Sequence, residues 1–381
     1  MKVPSPVRPL VPPIHQSSTF VLDDEAYRDI VSNEGLGVTW YSRFGNPTVQ
    51  AAAEAVGILE GGEGALLTSS GMAAIATTLL SLCKAGERIV AAREVYGDTR
   101  DLFVRDLPAL GVCVDFVPVA DTEAWRSALA AAPVRLAYAE TIANPQLRML
   151  DIATVAGLAH DVGALLVVDN TFASPAVVQP LALGADIVVN SVTKFLNGHS
   201  DVIAGAVVAS EAHLREIHRR VITLGGCLDP HAAFLVHRGL KTFGLRVAKQ
   251  NASAKILAGA MASFDGVQSV IHPTLSDYPQ AALAARQCRE GWGGGVFTAV
   301  LEGGNDRAAR FMRALEVVTE ATSLGGVESL VSAPHNSSHF SLSDEELALA
   351  GISAGMVRVS VGIEPQEQLL DDLAHALKVS G

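Results

Sequence analysis

A lone lysine, Lys194, has the clearest capacity for covalent chemistry in this sequence. It follows a short apolar run and stands among hydroxyl residues, in the segment NSVTKFLNG that begins at Asn190. Partial burial lowers the pKa of a lysine amine, and the neutral amine condenses with an aldehyde to give a Schiff base. The hydroxyl groups of Ser191 and Thr193 are suited to donate hydrogen bonds to an adjacent phosphate. Taken alone, the segment is better explained by a surface lysine in a loop.

A carboxylate, Asp169, ends the apolar run that precedes the lysine segment. A carboxylate at the mouth of a dry site requires a cationic partner, and a protonated pyridine nitrogen is such a partner. This pair would keep a pyridine ring electron-poor, so that the ring takes up electrons when an amino acid loses its α-proton. Taken alone, Asp169 is better explained by a strand-end turn in which Asp169 and Asn170 hydrogen-bond the backbone.

An anion site is predicted where an apolar run ends in Ser69-Ser-Gly-Met72 and opens a helix. Gly71 allows a close backbone turn, and the N–H groups of Gly71 and Met72 lie at the positive end of the helix dipole. Many helices begin with Ser-Gly and bind nothing, so this segment is weak by itself. The phosphate cradle, the pyridinium partner and the lysine nevertheless occur in chain order at predicted strand ends. Together they indicate a site for pyridoxal 5′-phosphate (PLP).

The elements that would position these groups alternate between helices and apolar strands from about residue 48 to residue 227. Residues 151–163 carry apolar side chains at helical spacing between capping residues. Continuous apolar runs of strand length occupy residues 164–168 and 186–190, the second just before Lys194. We therefore predict an α/β fold whose ligand site lies at the carboxyl ends of parallel strands.

Three parts of the chain differ in their patterns. Residues 1–47 are rich in Pro, Ser and polar residues and lack a sustained period, which predicts an extended arm that embraces another subunit. Residues 48–235 are predicted to form the cofactor-binding α/β domain. Residues 236–381 mix strands and helices and are predicted to form a smaller α+β domain. A largely helical stretch, residues 230–260, interrupted by Gly239 and Gly244, is expected to join the two domains.

Composition and charge exclude several classes of function. The formal net charge of -12 argues against binding of nucleic acid, and 49% hydrophobic residues predict a large core and subunit interfaces. The four cysteines form no CxxC or Cys/His pattern, so we expect reduced cytoplasmic thiols and no metal site. No apolar run approaches about 18 residues and the N-terminus is rich in proline, so neither a membrane span nor a signal peptide is expected.

Motifs spread over nearly the whole chain add a resemblance to a known family. They are YSRFGNPT from Tyr41, SSGM from Ser69, VYG from Val95, NP from Asn144, VDNTF from Val168, SVTK from Ser191, NGHSD from Asn197, SLGGVES from Ser323 and VRVSVG from Val357. With these motifs in order and at family-like spacing, the chain resembles the cystathionine and methionine γ-lyases and cystathionine synthases of transsulfuration. This family implies PLP fold-type I, the aspartate aminotransferase-like fold with a mostly parallel sheet, flanking helices and a smaller C-terminal domain.

The resemblance also implies roles for individual residues. It makes Lys194 the Schiff-base lysine, Asp169 the pyridinium partner, and Tyr96 a residue that stacks on the ring and acts as an acid toward the leaving sulfur. The implied cofactor contacts are Tyr41, Arg43, Gly71, Met72, Tyr96, Asn144, Asp169, Ser191, Thr193 and Lys194, with Tyr41 and Arg43 reaching the phosphate of the neighbouring subunit. Arg358 would grip the α-carboxylate of the substrate with its guanidinium fork, beside Ser323 and Asp98.

Two departures from the family pattern bear on the substrate. In the families that this chain resembles, many cystathionine lyases have glycine at the position of Asp98, and typical methionine γ-lyases have cysteine there. Residues 334–339 also differ from the family's usual stretch before a final histidine. We expect γ-elimination from methionine or cystathionine by a homotetramer built from dimers. A γ-replacement enzyme, such as cystathionine γ-synthase or an O-acylhomoserine sulfhydrylase, stays open. A non-catalytic PLP-binding regulator is a remote alternative, because it has no need of the lysine nucleophile.

Overall fold

Two β-sheets organise the chain in the computed structural model, which describes residues 9–337, 345, 347 and 351–381. The larger sheet contains β1 (Gly64–Thr68), β2 (Arg88–Ala92), β3 (Cys113–Val117), β4 (Leu136–Glu140), β5 (Leu165–Asp169), β6 (Ile187–Ser191) and β7 (Gly205–Ala209). Its order is β1-β7-β6-β5-β4-β2-β3, and only β7 runs antiparallel to its neighbours. This mostly parallel sheet confirms the predicted fold class.

The smaller sheet lies in the C-terminal part of the chain. It contains β8 (Val267–Ile271), β9 (Val296–Leu301), β10 (Thr319–Glu320), β11 (Leu330–Ser332) and β12 (Met356–Ser360). Its order is β10-β11-β12-β9-β8, with β10 and β11 parallel and the other pairs antiparallel. A second apolar core, separate from that of the larger sheet, packs against it.

Helices flank both sheets. They are α1 (Asp24–Ser32), α2 (Pro47–Glu60), α3 (Gly71–Leu82), α4 (Gly97–Asp101), α5 (Leu107–Ala109), α6 (Thr122–Ala131), α7 (Ile152–Asp161), α8 (Ser174–Val177), α9 (Glu211–Leu224), α10 (Pro230–Leu240), α11 (Phe243–Met261), α12 (Ala281–Gln287), α13 (Gly304–Ala314) and α14 (Gln366–Ser380). The described residues also contain a π-helix (Leu102–Asp106) and short 3-10 helices (Pro180–Leu183, Arg289–Gly291 and Pro334–Asn336).

The helix and strand predictions nearest the lysine are confirmed. Asp151 caps α7 by accepting a hydrogen bond from the Thr154 amide at 3.3 Å, and β5 and β6 occupy the two predicted apolar runs. The helical stretch expected at residues 230–260 consists of two helices, α10 and α11. The interruption expected at Gly239 is confirmed, since α10 ends at Leu240, whereas α11 continues through Gly244. At the junction the Gly239 carbonyl accepts hydrogen bonds from the Thr242 hydroxyl and the Arg246 guanidinium.

The described part of the arm is less regular than the rest, with one helix that its composition did not predict. Asp23 caps α1 by accepting a hydrogen bond from the Ala26 amide at 2.9 Å, and α1 has no buried residue. The apolar side chains of Leu10 and Val21 are fully exposed. Residues 1–8 lie outside the described residues, and the domain boundaries after residues 47 and 235 stay predictions.

No described helix is both long and apolar enough to cross a membrane. The described residues also contain no group of three or more His, Cys, Asp or Glu side chains arranged to hold a metal ion. All four cysteines are free, and burial raises the pKa of Cys83 to about 12 and that of Cys288 to about 11. These two thiols are therefore unreactive.

Candidate active site

Lys194 lies in the turn that directly follows β6, on the side of the larger sheet that faces the C-terminal part of the chain. Its amine donates a hydrogen bond to the Ser323 hydroxyl at 2.9 Å. Burial and, to a smaller extent, the positive charge of Arg358 lower the pKa of Lys194 to about 8. The structure therefore does not support the alternative of a surface lysine, and a substantial fraction of the amine is neutral near pH 8.

Ser323 connects the two parts of the chain at this point. It has a φ of +97°, a backbone conformation that is uncommon outside glycine and costs about 1 to 3 kcal/mol. The Ser323 carbonyl accepts a hydrogen bond from Arg358 at 2.8 Å, while its hydroxyl accepts the one from Lys194. A Cβ at the nearby Gly325 would lie 2.6 Å from the Phe195 nitrogen, so only glycine allows this segment to approach the lysine turn.

Arg358 is a buried guanidinium on β12. It donates to the Asn144 side-chain oxygen at 3.1 Å, and its charge lies 5.9 Å from the centre of the Phe172 ring. Its Nε has no hydrogen-bond partner among the described residues, and no described carboxylate pairs with it. Burial lowers the pKa of Arg358 to about 10. A buried cation with a free donor is suited to bind an anionic ligand.

Asp169 is the last residue of β5, and its side chain is buried. The carboxylate accepts a hydrogen bond from the Thr171 amide at 2.9 Å, so the strand-end turn that was an alternative for Asp169 is present. Burial raises its pKa, and no Lys, Arg or His of the described chain forms an ion pair with it. A turn alone leaves this buried charge without a cation, which favours a positively charged ligand group.

The start of α3 lies against the end of β6. Ser70 caps α3 by accepting a hydrogen bond from the Ala73 amide at 3.0 Å, which leaves the amides of Gly71 and Met72 without an intrahelical partner. A Cβ at Gly71 would lie 2.8 Å from the Ser191 Cβ, so glycine is required for this approach. An anion at the helix start would therefore also reach the end of β6.

The hydroxyl of Thr193 differs from the sequence expectation. It donates to the Ala204 carbonyl at 3.2 Å and accepts from the Ala204 amide at 3.0 Å. Its single proton is therefore already used, and a hydrogen bond to phosphate requires rotation of the hydroxyl. The phosphate contact of Thr193 stays a prediction.

Tyr96 directly precedes α4, and its side chain is 41% exposed. Partial burial of the side chain, followed by the adjacent Asp98 carboxylate, raises the pKa of the phenol to about 12. The main-chain amide of Tyr96 donates to the Glu140 carboxylate at 2.6 Å. Sequence reasoning assigned nothing to Glu140, although it ends an apolar strand as Asp169 does.

Tyr41 and Arg43 lie apart from this cluster within one chain. Arg43 donates to the Ile222 carbonyl at 2.9 Å and lies 5.3 Å from the centre of the Tyr41 ring. Neither is a partner of Lys194 or Arg358. Their predicted role at the site of a neighbouring subunit stays a prediction.

Comparisons with known proteins agree over almost the full length. A sequence model of the family described as "Cys/Met metabolism PLP-dependent enzyme" matches residues 3–378. The L-methionine gamma-lyase of Pseudomonas putida is 40% identical over 373 residues, 97% of this chain and 93% of that protein. The cystathionine gamma-synthase of Escherichia coli (strain K12) is 39% identical over 377 residues, 97% of this chain and 94% of that protein. The solved cystathionine gamma synthase from Xanthomonas oryzae pv. oryzae, in complex with aminoacrylate and cysteine, is 38% identical with a TM-score of 0.91, covering 97% of this chain and 93% of that one.

The side chains at this site fit PLP. The buried, cation-free carboxylate of Asp169 complements a protonated ring nitrogen. The open amides at the start of α3 complement a phosphate, and Gly71 lets them lie against Ser191. The amine of Lys194, with its lowered pKa, complements an aldehyde. Each reactive part of the cofactor therefore has a partner at the same end of the sheet.

Proposed function

The chain belongs to the family of Cys/Met metabolism PLP-dependent enzymes, and we propose that it is a carbon-sulfur lyase that eliminates the γ-substituent of a sulfur amino acid. The reaction consumes water and converts methionine or cystathionine into 2-oxobutyrate, ammonia and a thiol. The observation that carries this proposal is the meeting of Lys194 and Arg358 at Ser323, which sets a base beside an anchor for an α-carboxylate. Similarity to the methionine gamma-lyase supports elimination in particular.

PLP is the cofactor of this family. In the proposed enzyme Lys194 holds its aldehyde carbon, Asp169 its ring nitrogen, and the start of α3 at Gly71, with Ser191 and Thr193, its phosphate. When bound, the cofactor supplies an electron-poor ring that takes up the electrons released at the α-carbon of the substrate. The protein has to hold the substrate and move its protons.

The substrate carboxylate is assigned to Arg358. Asn144 and the Ser323 carbonyl accept hydrogen bonds from its two terminal nitrogens and thereby fix the plane of the guanidinium, while Nε keeps a free donor. A planar fork held in this way is suited to bind a carboxylate. Asn144 is assigned to the phenolic oxygen of the cofactor as well, through the resemblance.

Two proton carriers complete the proposed mechanism. Lys194 would take the α-proton of the substrate, and its pKa of about 8 leaves far more of the amine neutral near neutral pH than in an ordinary lysine. Tyr96 is protonated at neutral pH, and its pKa of about 12, raised first by burial and then by Asp98, keeps it so well into the alkaline range. The phenol is therefore available to protonate the departing thiolate.

We also propose that the enzyme is cytoplasmic and acts as a homotetramer assembled from two dimers. The support is the arm, whose apolar side chains Leu10 and Val21 are exposed in the single chain. In the dimer, Tyr41 and Arg43 of each subunit are assigned to the phosphate at the neighbouring site.

Similarity to the cystathionine gamma-synthases favours a second candidate function. In γ-replacement a thiol becomes bonded to the γ-carbon of an O-acylhomoserine. The carboxylic acid of the ester is the leaving group. The same base and the same carboxylate anchor serve both reactions.

Product analysis tests the proposal. Purified holoenzyme is incubated with methionine, cystathionine and O-acylhomoserines, each with and without added thiol, and the products are identified. We expect 2-oxobutyrate and ammonia from a sulfur amino acid without added thiol, and none from the Lys194→Ala control. Substantial product only from an O-acylhomoserine together with a thiol would contradict the lyase and establish γ-replacement.

A further inference from the structure

Glu140 is a buried carboxylate that the proposed mechanism does not use. It is the last residue of β4, its side chain is only 4% exposed, and it lies directly opposite Asp169 in the pairing of β4 with β5. Burial, followed by the nearby charge of Asp169, raises the pKa of Glu140 to about 8. A buried acid beside a second acid costs folding free energy, which an apolar residue at this strand position would avoid.

Two main-chain amides converge on this carboxylate. The Tyr96 amide donates to it at 2.6 Å, and the Asn144 amide donates to it too. These amides come from different segments, one from the loop before α4 and one from the turn after β4. Short hydrogen bonds from amides to a carboxylate are among the stronger ones in proteins.

The two residues held in this way are both assigned to the site. Tyr96 is the proposed acid, and Asn144 accepts a hydrogen bond from Arg358, the proposed carboxylate anchor. Tyr96 occupies the N-cap position of α4, a helix of five residues, but its side chain forms no capping hydrogen bond. The bond to Glu140 therefore fixes the point from which the Tyr96 side chain projects.

We propose that Glu140 is a positioning residue, which holds the main chain of Tyr96 and Asn144 in register with Asp169. The role of Tyr96 rests on the proposed function, whereas the two hydrogen bonds do not. Glu94, in the same loop as Tyr96, provides a matched control. Its carboxylate accepts a hydrogen bond from the Val119 amide at 2.8 Å, outside the site.

Hydrogen exchange of the holoenzyme tests the contacts without reference to activity. In Glu140→Leu we expect the Tyr96 and Asn144 amides to exchange about tenfold faster, because both lose their buried hydrogen-bond acceptor. Glu140→Asp keeps the acid but draws its oxygens back by one methylene, so the same amides should exchange faster there as well. Glu94→Asp is the matched control and should change exchange at Val119 only. Unchanged exchange at Tyr96 and Asn144 in Glu140→Asp would overturn the proposal even if Glu140→Leu fails to fold.

A double-mutant cycle tests whether Glu140 acts through Tyr96. With the preferred substrate, Glu140→Asp should lower kcat by about tenfold with a smaller change in KM, because the shorter side chain withdraws the acceptor and a small displacement of a catalytic group is costly. In a Tyr96→Phe background the same change should lower kcat by less than about twofold. Equal losses in both backgrounds would overturn the positioning role. An enzyme inactive in elimination would instead overturn the proposed function and leave the exchange result standing.

Discussion

Lys194 and Arg358 bind the same residue, one through the hydroxyl of Ser323 at 2.9 Å and the other through its carbonyl at 2.8 Å. They are close enough for the charge of Arg358 to lower the pKa of Lys194, after the larger effect of burial. A neighbouring positive charge disfavours the protonated amine. The anchor proposed for the substrate therefore also helps to keep the proposed base neutral.

We expect the purified enzyme to be yellow and Lys194→Ala to lack the visible absorption of lysine-bound PLP. Among the groups at the end of β6, Lys194 alone offers an amine to the aldehyde. The measurement is the absorption spectrum after incubation with PLP and removal of the excess. Lys255→Ala, in an exposed position on α11, is the control and should keep the band. A full band in Lys194→Ala would disprove the assignment.

Arg358→Ala should weaken binding of the amino-acid substrate far more than binding of PLP. Loss of a charge-assisted contact to the α-carboxylate costs on the order of 2 to 5 kcal/mol. Substrate affinity is measured by spectral titration and PLP affinity by equilibrium dialysis. Arg358→Lys keeps the charge without the fork, and an intermediate loss is expected. Unchanged substrate affinity together with loss of PLP binding would show that Arg358 binds the cofactor and not the substrate.

Glu60 predicts a pH dependence of stability. Glu60 is the last residue of α2. Its carboxylate accepts hydrogen bonds from the side-chain amides of Asn170 at 3.0 Å and Asn190 at 2.7 Å. Burial raises the pKa of Glu60 to about 7 from 4.5. The folded protein therefore holds this proton more tightly than the unfolded chain. The resulting stabilisation is fully present below about pH 4.5 and is lost as the pH rises through about 7.

This loss is on the order of 3 kcal/mol across the window. We therefore expect wild type to lose stability relative to Glu60→Gln between pH 4.5 and pH 7.5, measured by denaturant or thermal unfolding. Glu63→Gln, at an exposed position of the same region, should show no such change. A difference between wild type and Glu60→Gln that does not vary with pH would contradict the prediction.

Sharing of sites between subunits is open to a complementation test. If Arg43 serves the neighbouring site, a mixture of inactive Lys194→Ala and inactive Arg43→Ala subunits regains activity, because a hybrid dimer contains one intact site. Activity is measured after subunit exchange, which is verified with differently tagged subunits. The absence of recovery in exchanged hybrids would count against sharing.

The local parts of the site follow from the sequence, and the long-range parts do not. Helix α7, strand β5 and the position of Lys194 after β6 follow from periodicity and from turn residues close in the chain. The contact of Arg358 with Asn144 joins residues 214 positions apart, which no local pattern reports. Only the resemblance to a family assigned these two residues to one site.

Two further features depend on contacts beyond local pattern. At the junction of α10 and α11, which glycine content did predict, Arg246 donates hydrogen bonds to the carbonyls of both Gly239 and Phe195, in the lysine turn. The hydroxyl of Thr193 donates a hydrogen bond to the carbonyl of Ala204, which directly precedes β7. Both are tertiary contacts, and these override the preferences of a single segment.

Asp98 is expected to decide between substrates. It lies exposed in the first turn of α4, and its carboxylate raises the pKa of the Tyr96 phenol. If it faces the substrate, it repels the distal carboxylate of cystathionine, so that methionine, a neutral thioether, is preferred. Asp98→Gly should then shift the ratio of kcat/KM values toward cystathionine without changing the visible absorption. Asp101→Asn, in the same short helix and paired with Arg105 at 3.1 Å, is the control and should leave the ratio unchanged. An unshifted ratio in Asp98→Gly would mean that Asp98 faces solvent and that other residues select the substrate.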